Sequence, residues 1–204
     1  MRTLDTVQRW SGKGEPWAAA LGGDGEAFAV VFDLHRERVY RHALRLNGNA
    51  HDAEDVTAGA FLELWRRRTS VRLVEGSVLP WLLVTTTNLS RNAARSLRRY
   101  RALLGSLPRS GPAGGAGEVA FDQIEEATAA EQIRRALRSL SDLDGALIAL
   151  TAFEGFSPAQ AAVALGISDG AARARLHRAR AKVASALGTS PGAGRTAVVK
   201  EQAG

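Results

Sequence analysis

The sequence SPAQAAVALGISDGAARARLHRARAKVA, residues 157–184, decides the fold of the C-terminal half because it has the layout of a helix-turn-helix. Ser157 and Gln160 make a capping box, and Pro158 occupies the first position of the first helix. Gly166 ends that helix, because a tight turn between two helices needs a residue that tolerates a positive φ. The segment therefore predicts two short helices joined by a glycine turn.

The second helix of this motif is basic on one side. Ser168 is placed to cap it, and its core positions recur at steps of four, three and four residues. Those core positions are Ala172, Leu176, Ala179 and Val183. The other face carries Arg173, Arg175, His177, Arg178, Arg180 and Lys182. Such a helix suits the major groove of DNA, where its N-terminal part reaches base edges and flanking cations neutralise phosphates. The alternative is a solvated basic helix in an ordinary bundle, which the capping box, the glycine turn and the one-sided charge together disfavour.

Hydrophobic periodicity predicts three more helices in the N-terminal half. The first begins near Glu26 and ends at Asn47, and its apolar face consists of Phe28, Phe32, Val39 and Leu46. The second begins at Asp52, whose carboxylate is expected to cap the first turn, and ends in the cations Arg66, Arg67 and Arg68. The third runs from Trp81 to about Tyr100 and is basic in its second half.

The spacing of these elements predicts an all-α protein with two small helical domains, at residues 23–103 and 128–188. Residues 104–127 are rich in Gly, Pro and Ser and are predicted to form a flexible linker. Residues 1–22 and 189–204 lack a clear hydrophobic period and are expected to be a flexible leader and tail. The C-terminal domain contains the helix-turn-helix and is also helical by its apolar spacing.

The composition excludes several classes of protein. The chain has 27 Lys and Arg against 21 Asp and Glu, so its surface should attract polyanions. It has no cysteine and only 4 scattered histidines, which predicts no disulfide, no metal site and no other cofactor. No Ser-His-Asp, Walker-type or HExxH pattern occurs, and we expect no catalytic residues and no enzyme activity. The most apolar stretch, residues 78–84, is too short to span a bilayer, so we expect a cytoplasmic protein without membrane insertion.

Two segments resemble a known protein family. LGISDGAARARLHRARAKV, residues 165–183, is similar to the promoter-reading helix-turn-helix in region 4 of bacterial sigma factors. GNAHDAEDVTAGAFLELWRR, residues 48–67, resembles the polymerase-binding helix of sigma region 2. The two occur in the family's order around a flexible linker, an arrangement typical of the small extracytoplasmic-function (ECF) sigma factors. Family members often have Thr and Val where this chain has Ala171 and Ala172, and Pro at Ser141, which leaves the promoter sequence open.

The resemblance implies three functional surfaces. The residues implied to dock on the clamp helices of the polymerase β′ subunit are Asp55, Phe61, Leu62, Trp65 and Arg66. Those implied to bind the minus-ten promoter element are Asn88, Arg91, Asn92 and Arg95, with Asn88 at the extruded base. The upstream, minus-thirty-five element is assigned to Arg173, Ala174, His177 and Arg178 for sequence preference and to Arg180 and Lys182 for phosphates. Phe61 and Trp65 also fit core positions, and Asn88 also fits a helix amide bonded to the backbone.

The resemblance also implies the partners of the chain. They are bacterial core RNA polymerase, promoter DNA and an anti-sigma factor. Core polymerase would supply the nucleotidyl-transfer chemistry and the magnesium. Two rival interpretations remain open at this point: an autonomous helix-turn-helix repressor or activator, and a nucleic-acid-modifying protein that uses the basic groove.

Overall fold

The computed structural model describes residues 16–106 and 129–187. Within these residues the regular structure is helical, apart from one isolated bridge between Val74 and Ser77. The prediction of an all-α fold with a helix-turn-helix in its C-terminal half is confirmed. Most of the expected linker, most of the expected leader and all of the expected tail lie outside the described residues.

In residues 16–106 the structure has four α-helices and one short 3-10 turn. They are α1 (Pro16–Leu21), α2 (Gly25–Asn47), α3 (Ala50–Arg66), the turn at Arg68–Ser70 and α4 (Leu79–Ser106). Asp24 caps α2 through its side chain, and Gly48 ends it with a φ of 83°. Asn49, not Asp52, caps α3, because the Asn49 Oδ1 atom accepts a hydrogen bond of 2.8 Å from the backbone N–H of Asp52. The expectation that Asp52 caps this helix was therefore wrong.

The short helix α1 corrects the expectation of a flexible leader up to residue 22. Trp17 is only 8% exposed and Ala20 is fully buried, and both belong to the hydrophobic core. Burial of the Trp17 side chain removes a large apolar area from water and so stabilises α1 against the core. The helix is too short for its sequence to show helical periodicity.

The C-terminal half contains the helix-turn-helix at its end. Its elements are α5 (Ala129–Arg138), α6 (Asp142–Ile148), a π-helical turn (Ala149–Phe153), α7 (Pro158–Leu165) and α8 (Asp169–Ala186). The Ser157 Oγ atom accepts from the backbone N–H of Gln160 at 3.1 Å, and the Gln160 side chain accepts from the backbone N–H of Ser157 at 2.8 Å. Gly166 has a φ of 68°, and Ser168 caps α8. The local geometry of the helix-turn-helix was thus predicted correctly.

The two halves pack against each other. Helix α4 contacts α6, α7 and the π-helical turn, and one connected hydrophobic cluster contains Leu82 and Leu83 of the first half with Leu147 and Leu150 of the second. Helices α7 and α8 also pack on one another through buried Ala161, Ala172 and Leu176. The helix-turn-helix therefore sits on a scaffold built from both halves.

Candidate nucleic-acid and polymerase interface

The basic face of α8 is open to solvent. The side chains that the sequence assigns to DNA on this helix are all exposed: Arg173, Ala174, His177, Arg178, Arg180 and Lys182. Helix α8 keeps this face outward because Ala172, Leu176 and Ala179 are buried on its opposite side. The structure thus brings these six residues together on one accessible surface.

Three cations of α8 have partners within the C-terminal half. The guanidinium of Arg175 lies 3.1 Å from the Asp144 carboxylate, so this residue serves the packing of α6 against α8. Arg173 pairs with Asp169 one turn earlier at 2.6 Å. The Lys182 ammonium donates to the backbone carbonyl of Ser139 at 2.7 Å. A phosphate would have to replace these partners at Arg173 and Lys182.

Helix α3 presents a second row of accessible side chains. Asp55, Leu62 and Arg66 are exposed, and their spacing of seven and four residues puts them on one side of the helix. Leu62 is 56% exposed, so this row has an accessible apolar side chain between two charged ones. A second protein can reach this row of α3.

The two aromatic residues of α3 differ from that row. Phe61 is 3% exposed, and its ring meets Phe32 edge-on with centroids 4.7 Å apart. Its side chain belongs to the core, which corrects the expectation that it touches polymerase directly. Trp65 is half-buried: its ring meets Phe28 at 5.0 Å, and the Arg68 guanidinium lies 4.6 Å from its centroid. Trp65 therefore has both a packed edge and an accessible one.

Two of the α4 residues assigned to the minus-ten element, Arg91 and Arg95, bond to the C-terminal half. Arg91 is only 12% exposed; its Nε donates to Asp142 at 2.8 Å and its Nη1 to the carbonyl of Leu137 at 2.8 Å. A further hydrogen bond joins Arg91 to the carbonyl of Leu140. Arg95 donates to the same Asp142 carboxylate at 3.0 Å. The hydrogen bonds and charges of Arg91 and then Arg95 outweigh burial and hold the pKa of Asp142 below its usual value.

The amides on this helix have contrasting environments. Asn92 is exposed, and its Oδ1 accepts from Arg95 at 2.6 Å. The Oδ1 atom of Asn88 is buried without a hydrogen-bond partner. A buried amide oxygen without a protein partner is uncommon in folded proteins, where nearly all such groups accept a hydrogen bond.

A carboxylate of the C-terminal half, Glu154, forms a second charged contact between the halves that the sequence did not predict. Its Oε2 accepts from Arg38 at 2.9 Å, and its Oε1 lies 3.1 Å from both His42 and Arg45. Fully buried His42 bridges on to Thr87 of α4 at 3.0 Å. Burial raises the pKa of Glu154, but the hydrogen bonds of His42 and Arg38 outweigh it and lower the pKa to about 2.

The sequence of α2 contains a weak signal for this contact. Arg38, His42 and Arg45 recur at steps of four and three residues, which puts them on one face of the helix. Nothing in the sequence pairs that face with a glutamate more than a hundred residues away. Only the packing of the two halves brings them together.

The comparisons with known proteins identify both halves. The model for sigma-70 region 2 matches residues 31–100, and the model for sigma-70 region 4 matches residues 130–183. The ECF RNA polymerase sigma factor SigL of Mycobacterium tuberculosis is 30% identical over 162 residues, which cover 79% of this chain and 89% of that protein. The chain belongs to the ECF sigma factor family.

Two further proteins extend the comparison. The ECF sigma factor SigE of Mycolicibacterium smegmatis is 35% identical over 147 residues, 72% of this chain and 56% of that protein. The structure of CnrH, solved in complex with the cytosolic domain of CnrY, shares the fold with a TM-score of 0.55 and 24% identity, covering 85% of this chain and 95% of that one. The function as an RNA polymerase sigma factor is therefore established, and the autonomous regulator is not favoured.

The two family matches assign the helices described above to sigma region 2 and sigma region 4. The region 2 match takes in α3, most of α2 and the first part of α4, and the region 4 match takes in α6, α7 and most of α5 and α8. Glu154 and Asp142 therefore join region 4 to region 2. A cavity of about 430 Å³ lies along the same junction, lined by Leu97 and Arg98 of region 2 and by Ala149 and Phe153 of region 4.

The described part of the chain has neither a metal-binding cluster nor a membrane-spanning helix. In residues 16–106 and 129–187 no group of three or more His, Cys, Asp or Glu side chains is arranged to hold a metal ion. None of the helices in the described ranges is long and apolar enough to cross a membrane.

Proposed function

We propose that α8 of region 4 reads the minus-thirty-five element of the promoters that this sigma factor recognises. The observation that carries the proposal is the accessible face of α8, which is basic, outward and set by a capped helix-turn-helix. Arg173, Ala174, His177 and Arg178 lie on its N-terminal and middle turns, where a recognition helix meets base edges. Arg180 and Lys182 lie further along and serve to neutralise phosphates.

Core polymerase docks on the exposed row of α3. Asp55, Leu62 and Arg66 form this surface together with the accessible edge of Trp65, and they combine charges with an apolar centre as protein interfaces do. Phe61 supports the row from inside and makes no direct contact. The chain itself supplies no catalytic group or cofactor, because the polymerase performs the nucleotidyl transfer.

The minus-ten element binds along α4 at Asn88, Arg91, Asn92 and Arg95. The unpaired Oδ1 atom of Asn88 supports a role in capturing an extruded base, since an amide accepts from and donates to a base edge. The two arginines track the phosphates of the displaced strand. Both are engaged by region 4 in the structure, so this binding requires a rearrangement.

The partners of the protein are core RNA polymerase, promoter DNA and an anti-sigma factor. CnrH, which shares the fold, was solved with a bound protein domain, and this supports a regulator that binds here as well. We expect a cytoplasmic location without membrane insertion, because polymerase and chromosome are found there.

The proposal is tested by co-purification with core polymerase, followed by sequencing of the DNA that the complex retains. We expect stoichiometric binding and enrichment of sites with two conserved elements at a fixed spacing. Leu62→Arg should abolish the co-purification, whereas Arg178→Ala should leave it intact and reduce the enrichment. DNA retained equally well without core polymerase would contradict the assignment and support an autonomous regulator.

A further inference from the structure

Two adjoining cavities lie between α4 and the C-terminal half. One, called here the apolar cavity, has a volume of about 430 Å³, and the other, called the arginine cavity, has a volume of about 120 Å³. They adjoin because Arg91, Arg98 and Arg138 line both of them. The pair therefore offers two different environments within reach of one small molecule.

The apolar cavity suits a hydrocarbon chain. Its volume falls within the range of about 300–1,000 Å³ that is usual for ligand pockets. The apolar part of its lining includes Leu46, Leu97, Leu137 and Phe153. Leu97 is 48% exposed, so an apolar occupant would remove this side chain from water.

Three polar side chains on the same wall already have partners within the protein. The side-chain N–H groups of Asn47 donate to the backbone carbonyl of Ala43 at 2.9 Å and to the Ser90 hydroxyl at 3.0 Å. The Thr87 hydroxyl donates to the backbone carbonyl of Leu83 at 2.9 Å. Because these groups gain little from a polar occupant, the wall favours an aliphatic body over a sugar or a nucleotide base.

The arginine cavity suits a phosphate group. Besides Leu140, the side chains that line it are Arg91, Arg95, Arg98 and Arg138. Asp142 bonds to two of these arginines and offsets one positive charge. A water molecule needs only about 10–15 Å³ of such a space, so the cavity has room for a phosphate. Guanidinium groups pair their N–H donors with phosphate oxygens, and several of them around one space favour an anion with several oxygens.

From these two environments we propose that the junction of the two regions binds a small amphipathic anion, a single alkyl chain that ends in a phosphate. The chain lies in the apolar cavity and the phosphate in the arginine cavity. Because both regions supply the walls, the occupant stabilises their packed arrangement. Binding of DNA by Arg91 and Arg95 requires that arrangement to change, so the ligand opposes promoter opening. This consequence rests on the assignment of the two arginines to DNA, whereas the site itself does not.

Isothermal titration calorimetry of the full chain with decyl phosphate, below its micelle concentration, tests the site. We expect saturable binding of one molecule per chain. Octyl phosphate should bind about tenfold more weakly, since burial of each methylene contributes roughly fourfold. Decanol, decyltrimethylammonium and inorganic phosphate should each bind about tenfold more weakly or worse, because each lacks the phosphate or the chain. Equal affinity for decyl phosphate and decyltrimethylammonium, or no saturable binding of decyl phosphate, would overturn the proposal.

Matched substitutions at exposed positions of α4 locate the site. Arg98 and Ala93 line the apolar cavity, whereas Arg99 and Ser96 line neither cavity. Arg98→Gln removes a cation and Ala93→Phe fills the space, so each should weaken binding of decyl phosphate about tenfold or more. Arg99→Gln and Ser96→Phe should bind like the parent protein. Equal losses in both pairs, or no loss in the lining pair with helical content retained, would overturn the site.

Permanganate footprinting of unpaired thymines, with core polymerase and duplex promoter DNA, tests the consequence. Decyl phosphate should reduce opening by the parent protein and by Ser96→Phe, but not by Ala93→Phe, and decanol should reduce none of them. Binding of decyl phosphate without reduced opening would overturn the coupling between the ligand and the promoter. Absence of opening by the parent protein without any ligand would instead contradict the proposed role of α4 in DNA binding.

Discussion

Glu154→Gln should lower the free energy of unfolding by an amount that depends on pH. The Glu154 pKa falls from 4.5 to about 2 on folding, because hydrogen bonds from His42 and Arg38 outweigh burial. One pKa unit corresponds to about 1.4 kcal/mol, so the ionised carboxylate contributes at most about 3 kcal/mol to the free energy of unfolding. The native state holds the carboxylate deprotonated. Its contribution is therefore complete above pH 4.5 and is lost as the pH falls through about 2.

Urea unfolding followed by tryptophan fluorescence is a suitable assay, because Trp17, Trp65 and Trp81 all lie in the N-terminal half and report its unfolding. We expect Glu154→Gln to lower the free energy of unfolding by up to about 3 kcal/mol at pH 7, and by about half as much at pH 3. Glu37→Gln should lower it by less than about 1 kcal/mol, since exposed ion pairs contribute little. Equal losses from Glu154→Gln at the two pH values would refute the reasoning, as would a loss no larger than that of Glu37→Gln.

Three other substitutions or pairs test the proposed surfaces. Phe61→Ala should cost about 3–5 kcal/mol of stability as a core truncation, whereas Leu62→Ala should leave the melting temperature nearly unchanged and weaken polymerase binding in a pull-down. The reverse pattern would show that the core and interface roles are exchanged. In a promoter-library binding assay, Arg178→Ala should reduce the free-energy difference between preferred and other bases by about 1–3 kcal/mol. Arg180→Ala should instead lower the affinity for all DNA sequences evenly and reduce the dependence of that affinity on salt concentration. Identical profiles for the two would rule out this division of roles. With core polymerase, Asn88→Ala should permit closed-complex binding but reduce permanganate reactivity of unpaired thymines on duplex templates, with recovery on pre-opened templates. Normal opening by this variant would exclude Asn88 from base capture.

The sequence predicts the helix-turn-helix well because its signals are local. The capping box at Ser157 and Gln160, the left-handed Gly166 and the Ser168 cap each act within four residues, so neighbouring side chains determine the geometry. The same holds for the exposed basic face of α8. Here spacing along the helix fixes which side chains point outward.

The sequence does not predict features that depend on distant packing. Helix α1 is not predicted from the sequence, because six residues are too few to show a helical hydrophobic period. Trp17 is held in place by its contacts with the rest of the core. The burial of Phe61 depends on Phe32 of another helix. The hydrogen bond between Arg91 and Asp142 depends on how the two regions pack. The sequence predicts two domains joined by a linker, but it does not predict how they pack.

As an RNA polymerase sigma factor, this chain gives core polymerase its promoter specificity. The most direct test is in vitro transcription of a fragmented genomic library from its own organism with purified core polymerase, followed by sequencing of the transcript 5′ ends. We expect new start sites that appear only when the protein is present, each preceded by a shared pair of elements at a fixed spacing. Start sites identical with and without the protein, or an absence of transcripts above those of core polymerase alone, would contradict it.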